Sequence, residues 1–141
     1  MSVYKALRGE STLQFLDTAR QLAVHTRRYC LKMPKRYTFF GAQEVCRLAD
    51  QVYIEVKMAN SIYPTNAHEV QLRRDHLTEA NATLQALIGQ LGLLADLLKQ
   101  NPQCSKWIDY ALTEWARLIE EEAKLIAGVK KADKERYRNL M

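Results

Sequence analysis

A chain of 141 residues with 48% apolar and 26% charged side chains can bury one sizeable core but not two, so a single soluble domain over residues 1–141 is expected. Its net charge of +5 is laid down unevenly: residues 1–60 hold ten Lys/Arg against five Asp/Glu, and residues 61–141 hold eleven of each. No apolar run reaches the roughly 18–20 residues of a membrane span and Met1–Lys5 has no signal-peptide core, so a cytoplasmic location with no membrane partner is expected.

Three prolines, Pro34, Pro64 and Pro102, fall in gaps between heptad-spaced apolar stretches and mark helix boundaries. The first helix is expected over about residues 11–33. Ser11-Thr12-Leu13-Gln14 fits a capping box at its start, and Pro34 disfavours helical geometry at the residue before it. Its buried side reads Leu16, Ala19, Ala23, Thr26, Cys30 and Met33, widened by Phe15, Leu22 and Tyr29.

The second helix is expected over 39–63, with Thr38 as its cap and Ala42, Val45, Ala49, Val52, Val56 and Ala59 as its seam. The third, over 66–100, opens on the capping signature Asn66-Ala67-His68-Glu69 and carries Leu77, Ala80, Leu84, Leu87, Leu91, Leu94 and Leu98 in unbroken three-four spacing. A second seam of Ile88, Gly92 and Ala95, with Leu93 beside it, is either part of a wide intramolecular stripe or a face against a neighbouring subunit. The fourth helix is expected over 102–131, with Asn101 as N-cap and Pro102 at the first position. Its basic tail, 132–141, has little to bury and is expected to fray. Short loops between sequential helices predict an all-α, up-down-up-down antiparallel four-helix bundle, a rod of roughly 35–50 Å.

The densest run of positive charge is Arg27 to Arg36, and it is followed by Tyr37, Phe39 and Phe40 without an intervening acid. Arginine and lysine pair with phosphates while aromatic rings stack on unpaired bases, so Arg27, Arg28, Lys32, Lys35, Arg36 and Tyr37 are candidate nucleic-acid contacts. The alternative is a solvated basic face with the three rings plugging the end of the bundle. Arg73 lies on the seam of the third helix beside Arg74, level with Asp17 and Glu55, and Glu122 lies on the seam of the fourth, level with Arg27 and Arg47. A charge on a seam needs a partner, so both are expected in ion pairs. Cys30, Cys46 and Cys104 show no metal or disulfide spacing and are expected as reduced thiols.

No catalytic or metal constellation is legible: no glutamate has a histidine three residues on, His68-Glu69 lacks a second histidine, and no glycine-rich phosphate loop occurs. No cofactor and no metal are expected. Arg20-Gln21-Leu22-Ala23-Val24-His25 fits the Arg-x4-His spacing of the HEPN helical-bundle ribonucleases, a pattern that roughly 0.7 chance matches would supply in this composition.

Phe15 through Ala23, then Lys32-Met33-Pro34-Lys35, Ala59-Asn60-Ser61-Ile62 and Arg73-Arg74 give the chain a layout that resembles a bacterial four-helix-bundle family. That family includes the proteins encoded by 23S rRNA intervening sequences and the accessory variability determinant proteins of diversity-generating retroelements. The resemblance implies a bundle that assembles as a homo-oligomer, commonly a pentamer, with a basic surface that binds nucleic acid and a reverse transcriptase. It would give contact roles to Arg27, Arg28, Lys32, Lys35 and Arg36, with Arg73 and Arg74 as a second basic site. The expected function is a non-enzymatic accessory or scaffold protein that binds RNA or DNA electrostatically. A protein-interaction or assembly module without nucleic-acid binding is the alternative, and a ribonuclease using Arg20 and His25 is a third.

Overall fold

Apolar residues recurring at steps of three and four lie on one side of a helix, and such helices are stable only when that side is covered. A computed structural model of the chain describes the backbone of residues 3–141 and the side chains of residues 14–141. Four long helices make the fold: α1 (Val3–Cys30), α2 (Gln43–Ser61), α3 (Ala67–Leu98) and α5 (Ile108–Arg136), with a one-turn helix α4 (Pro102–Ser105) before the last. No strand occurs among the described residues. α1 packs against α2 and α5, and α3 packs against the same two helices, which closes a ring of four around one core.

The seams of α2 and α3 are buried as spaced: Val45, Ala49, Val52, Val56 and Ala59 face Leu77, Leu84, Leu87, Leu94 and Leu98 across the core. α1 contributes Phe15, Ala19, Leu22 and Tyr29, while Leu16 and Cys30 are only half-buried. α5 contributes Ile108, Trp115, Leu118 and Ile126. Trp115 is the largest fully buried side chain, and its indole N–H donates to Thr26 Oγ1 at 2.8 Å. Thr26 in turn donates to the Leu22 carbonyl at 2.8 Å, so neither polar group is orphaned.

Boundaries depart from the sequence expectations where packing intervenes. α1 is helical from Val3, ahead of the expected start at Ser11, whose side chain and capping box lie outside the described side chains. It ends at Cys30, because the last turn tightens through Lys32 N–H to Tyr29 and Met33 N–H to Cys30 carbonyls. Thr38 does not cap α2. It opens a wide turn, Thr38–Ala42, in which the Gln43 N–H reaches back to the Thr38 carbonyl. Gly41 in that turn touches α3: a Cβ placed there would lie 2.5 Å from Leu94 Cδ1.

α3 starts as a reciprocal cap. Asn66 Oδ1 accepts from the Glu69 N–H at 2.9 Å, and the Glu69 carboxylate accepts from the Thr65 N–H at 2.8 Å. Asn101 caps α4 through the Gln103 N–H at 2.9 Å with Pro102 next to it, but the helix stops at Ser105 and restarts at Ile108. The single helix expected over 102–131 is therefore broken near its start. At its other end it continues to Arg136 instead of fraying, because Asp133 is buried and tied to α3. No helix among the described residues is long and apolar enough to cross a membrane.

Candidate nucleic-acid interface

The α1–α2 turn brings most of the basic candidates to one end of the molecule. Lys32, Lys35 and Arg36 are exposed there, with the Lys32 ammonium 5.0 Å from the centre of the Tyr29 ring and the Arg36 guanidinium 5.3 Å from that of Tyr37. The Tyr37 hydroxyl accepts from Asn101 Nδ2 at 3.2 Å, and that bond, aided by Arg36, holds the phenol below its usual pKa. Tyr37 itself packs against the core, so of the three rings expected to plug the bundle end it is the one that does so. Phe39 and Phe40 point outward, 86% and 78% exposed, with Leu31 also exposed. These two phenylalanines were missing from the candidate contacts because an apolar side chain next to a proline turn reads equally well as filler.

Arg27 and Arg28 have separate surroundings. Arg27 grips Asp50 with both terminal nitrogens, at 2.7 and 2.8 Å, and ties α1 to α2. Its charge is matched by Asp50, whereas no carboxylate among the described residues pairs with Lys35. Arg28 turns into a groove of about 400 Å³ between α1 and α5, with Arg20, His25, Tyr110 and Glu114 on its walls. Arg20 and His25 thus do share a groove. The His25 Nε2 lies 3.1 Å from the Ala111 carbonyl, which makes it the N–H donor, and the ring packs against Tyr29 and Trp115 at 4.8 Å. Burial lowers the His25 pKa, so the ring is neutral at pH 7.

The second basic site is corrected. Arg73 is buried and cannot meet a phosphate: its Nε donates to Asp133 at 2.6 Å, and its Nη1 donates to the carbonyls of Ala59 and Ile62 at 2.9 and 3.3 Å. It thereby closes the C-terminal end of α2 and anchors the end of α5. Its partner is neither Asp17 nor Glu55. Glu55 instead pairs with His76 Nδ1 at 2.7 Å. Arg74 is exposed, and around it the fold gathers Lys130 and Lys134 from the end of α5. The patch is therefore Arg74 with two lysines that the sequence places in a distant segment.

Glu122 is corrected as well. Arg27 and Arg47 are engaged with Asp50 and Glu44, and among the described residues neither carboxyl oxygen of the fully buried Glu122 has a hydrogen-bond partner. Burial, with a smaller push from Glu121, raises its pKa to about 8, so it is held as the neutral acid at pH 7. Among the described residues no group of His, Cys, Asp and Glu converges as a metal site.

α3 and α5 flank an apolar groove of about 460 Å³ walled by Ile88, Leu91, Gly92, Leu112 and Ile119. Ile88 is 47% and Leu93 64% exposed, and Gly92 is also on the surface. Ala95 differs from them, being buried. Comparison of the chain with protein-family models, with curated proteins and with solved structures finds no match.

Proposed function

We propose that the chain is a non-enzymatic, cytoplasmic nucleic-acid-binding accessory or scaffold protein, folded as an up-down-up-down antiparallel four-helix bundle. In this role it acts as a homo-oligomer, a pentamer by resemblance, beside a nucleic-acid-processing partner such as a reverse transcriptase. The topology is supported by pairs that join the end of one helix to the start of its neighbour: Arg27 with Asp50, Glu55 with His76, and Arg73 with Asp133. The observation that carries the function is the exposure of Phe39 and Phe40 beside Lys32, Lys35 and Arg36. Exposed phenyl faces stack on unpaired bases while adjacent cations take phosphates, a combination suited to single-stranded RNA or DNA and tolerant of sequence.

A salt-titrated gel shift with single-stranded RNA and DNA tests it. Lys35→Ala/Arg36→Ala should reduce the slope of log K against log salt by roughly 1.4, two phosphate contacts' worth on a single strand. Phe39→Ala/Phe40→Ala should weaken binding by about 1–3 kcal/mol for each base no longer stacked. Absence of binding by the unaltered protein, or affinity unmoved by both variants, overturns the proposal.

A pure assembly module is the second reading, favoured by the exposed Ile88, Leu93 and Leu97 on α3. Solution mass distinguishes it: Leu93→Glu should dissociate an oligomer built on this face. For the ribonuclease alternative, RNA cleavage that His25→Ala abolishes would move the function to the α1–α5 groove.

A further inference from the structure

Cys30 closes α1 and Cys46 stands in the first turn of α2, and the fold brings their side chains together. The Cys30 Sγ lies 3.5 Å from the Ala42 carbonyl. That carbonyl is four residues before Cys46, so the Cys30 sulfur stands over the turn that carries Cys46. Each thiol is the largest influence on the other's titration. Both are half-buried, whereas Cys104, within α4, is buried. A small molecule can therefore reach this pair sooner than the third thiol.

The surroundings make the two sulfurs unequal. The Cys30 thiol is pushed well above its usual range by the contact with Cys46 and by burial. The Cys46 thiol is lowered, chiefly by accepting from Cys30 and in small part by Arg27, with burial and Asp50 opposing. Cys46 is thus the sulfur that reacts first and Cys30 the one that resolves.

We propose that Cys30 and Cys46 form a reversible dithiol–disulfide pair, oxidised by a low-molecular-weight disulfide, that latches α1 to α2. The Cys46 thiolate attacks one sulfur of the small disulfide, forms a mixed disulfide and expels one thiolate. Cys30 gives up its proton and attacks the Cys46 sulfur, the second small thiolate leaves, and the two cysteine protons end on the two small thiols. Two protein thiols are oxidised and one disulfide is reduced to two thiols. The latch encloses residues 31–45, which include the exposed phenylalanines and the basic side chains of the turn. It stands independently of nucleic-acid binding.

The test uses the full chain, reduced and then held with excess oxidised glutathione. Thiols titrated with maleimide after unfolding should fall from the three of the reduced protein to one, with a mass loss of about 2 Da and a digest fragment joining Cys30 to Cys46. Dithiothreitol should restore all three. Cys104→Ser should go from two labelled thiols to none, and Cys30→Ser should stop at a glutathione adduct on Cys46. Persistent adducts on both cysteines without a bridge, a bridge to Cys104, a bridge between chains, or three thiols surviving the oxidant would each overturn the proposal.

Discussion

Glu122→Gln should stabilise the protein at neutral pH, and by an amount that depends on pH. The carboxyl is fully buried, neither oxygen has a partner among the described residues, and burial raises its pKa from an ordinary 4.5 to about 8. In the unfolded chain the same group ionises near its ordinary value. Between the two pKa values the folded state holds a proton that the unfolded state has released, so stability is greatest below pH 4.5 and is lost as pH rises toward 8. The slope is about 1.4 kcal/mol per pH unit, which makes the loss ~3 kcal/mol at pH 7 and ~5 kcal/mol once pH passes 8. Against a whole-domain stability of roughly 5–15 kcal/mol, that is a large share.

Glutamine keeps the shape of the neutral acid and cannot ionise. Urea unfolding followed by circular dichroism, on the unaltered protein and Glu122→Gln at pH 5, 6, 7 and 8, isolates the term. The two should nearly coincide at pH 5 and then separate by about 1.4 kcal/mol with each further pH unit. Glu122→Leu should behave the same way, since apolar replacement of a buried unpaired polar group is tolerated where shape allows. A separation that stays constant from pH 5 to 8 would refute the inference that Glu122 is protonated in the folded state.

Arg73→Met should destabilise by about 3–5 kcal/mol in urea, because it leaves the Asp133 carboxylate buried without its partner, and adding Asp133→Leu should recover most of the loss. Gly41→Ala should cost about 1–3 kcal/mol by forcing Leu94 aside, with Leu94→Ala relieving the clash, as a double-mutant cycle would measure. Arg27→Ala should leave the salt dependence of any nucleic-acid binding unchanged, since its guanidinium is matched by Asp50, and a slope change equal to that of Lys35→Ala would show the ion pair opens on binding.

The seams of α2 and α3 were legible because a side chain's direction along a regular helix is fixed by its spacing. What the spacing could not supply is the partner on another helix. The sequence matches Arg73 to residues level with it on the first two helices, while its real partner, Asp133, lies in a segment expected to bury little. That expectation treated polarity as exposure, and one buried ion pair with two backbone carbonyls is enough to hold the last turns of α5 down. Glu122 was placed correctly on the seam, but its protonation is set by how dry its surroundings are. The pairing of Cys30 with Cys46 is not legible in the sequence for a related reason: spacing rules find cysteines close in sequence, and these sit on different helices. The break between α4 and α5 carries neither glycine nor proline, so no local signal marks it.

The connection between α1 and α2 is built of two short helical turns, Lys35–Tyr37 and Thr38–Ala42, and is held from several sides. Tyr37 is tied to Asn101 at the cap of α4, Gly41 sits against Leu94 of α3, and Arg27 clasps Asp50 just beyond the turn. Each anchor reaches a different element, so the turn cannot shift against the core without breaking contacts in at least one of them. A surface held this way loses less conformational freedom on binding than a free loop of the same composition. Phe39 and Phe40 would then be costly to leave in water without being mobile enough to fold back, which is the condition under which exposed aromatic rings serve recognition. Asn101→Ala probes this directly. It removes the Tyr37 bond and the α4 cap while leaving every basic and aromatic side chain of the turn in place, so weakened single-strand binding with an unchanged salt slope would trace the loss to preorganisation, and unchanged affinity would refute it.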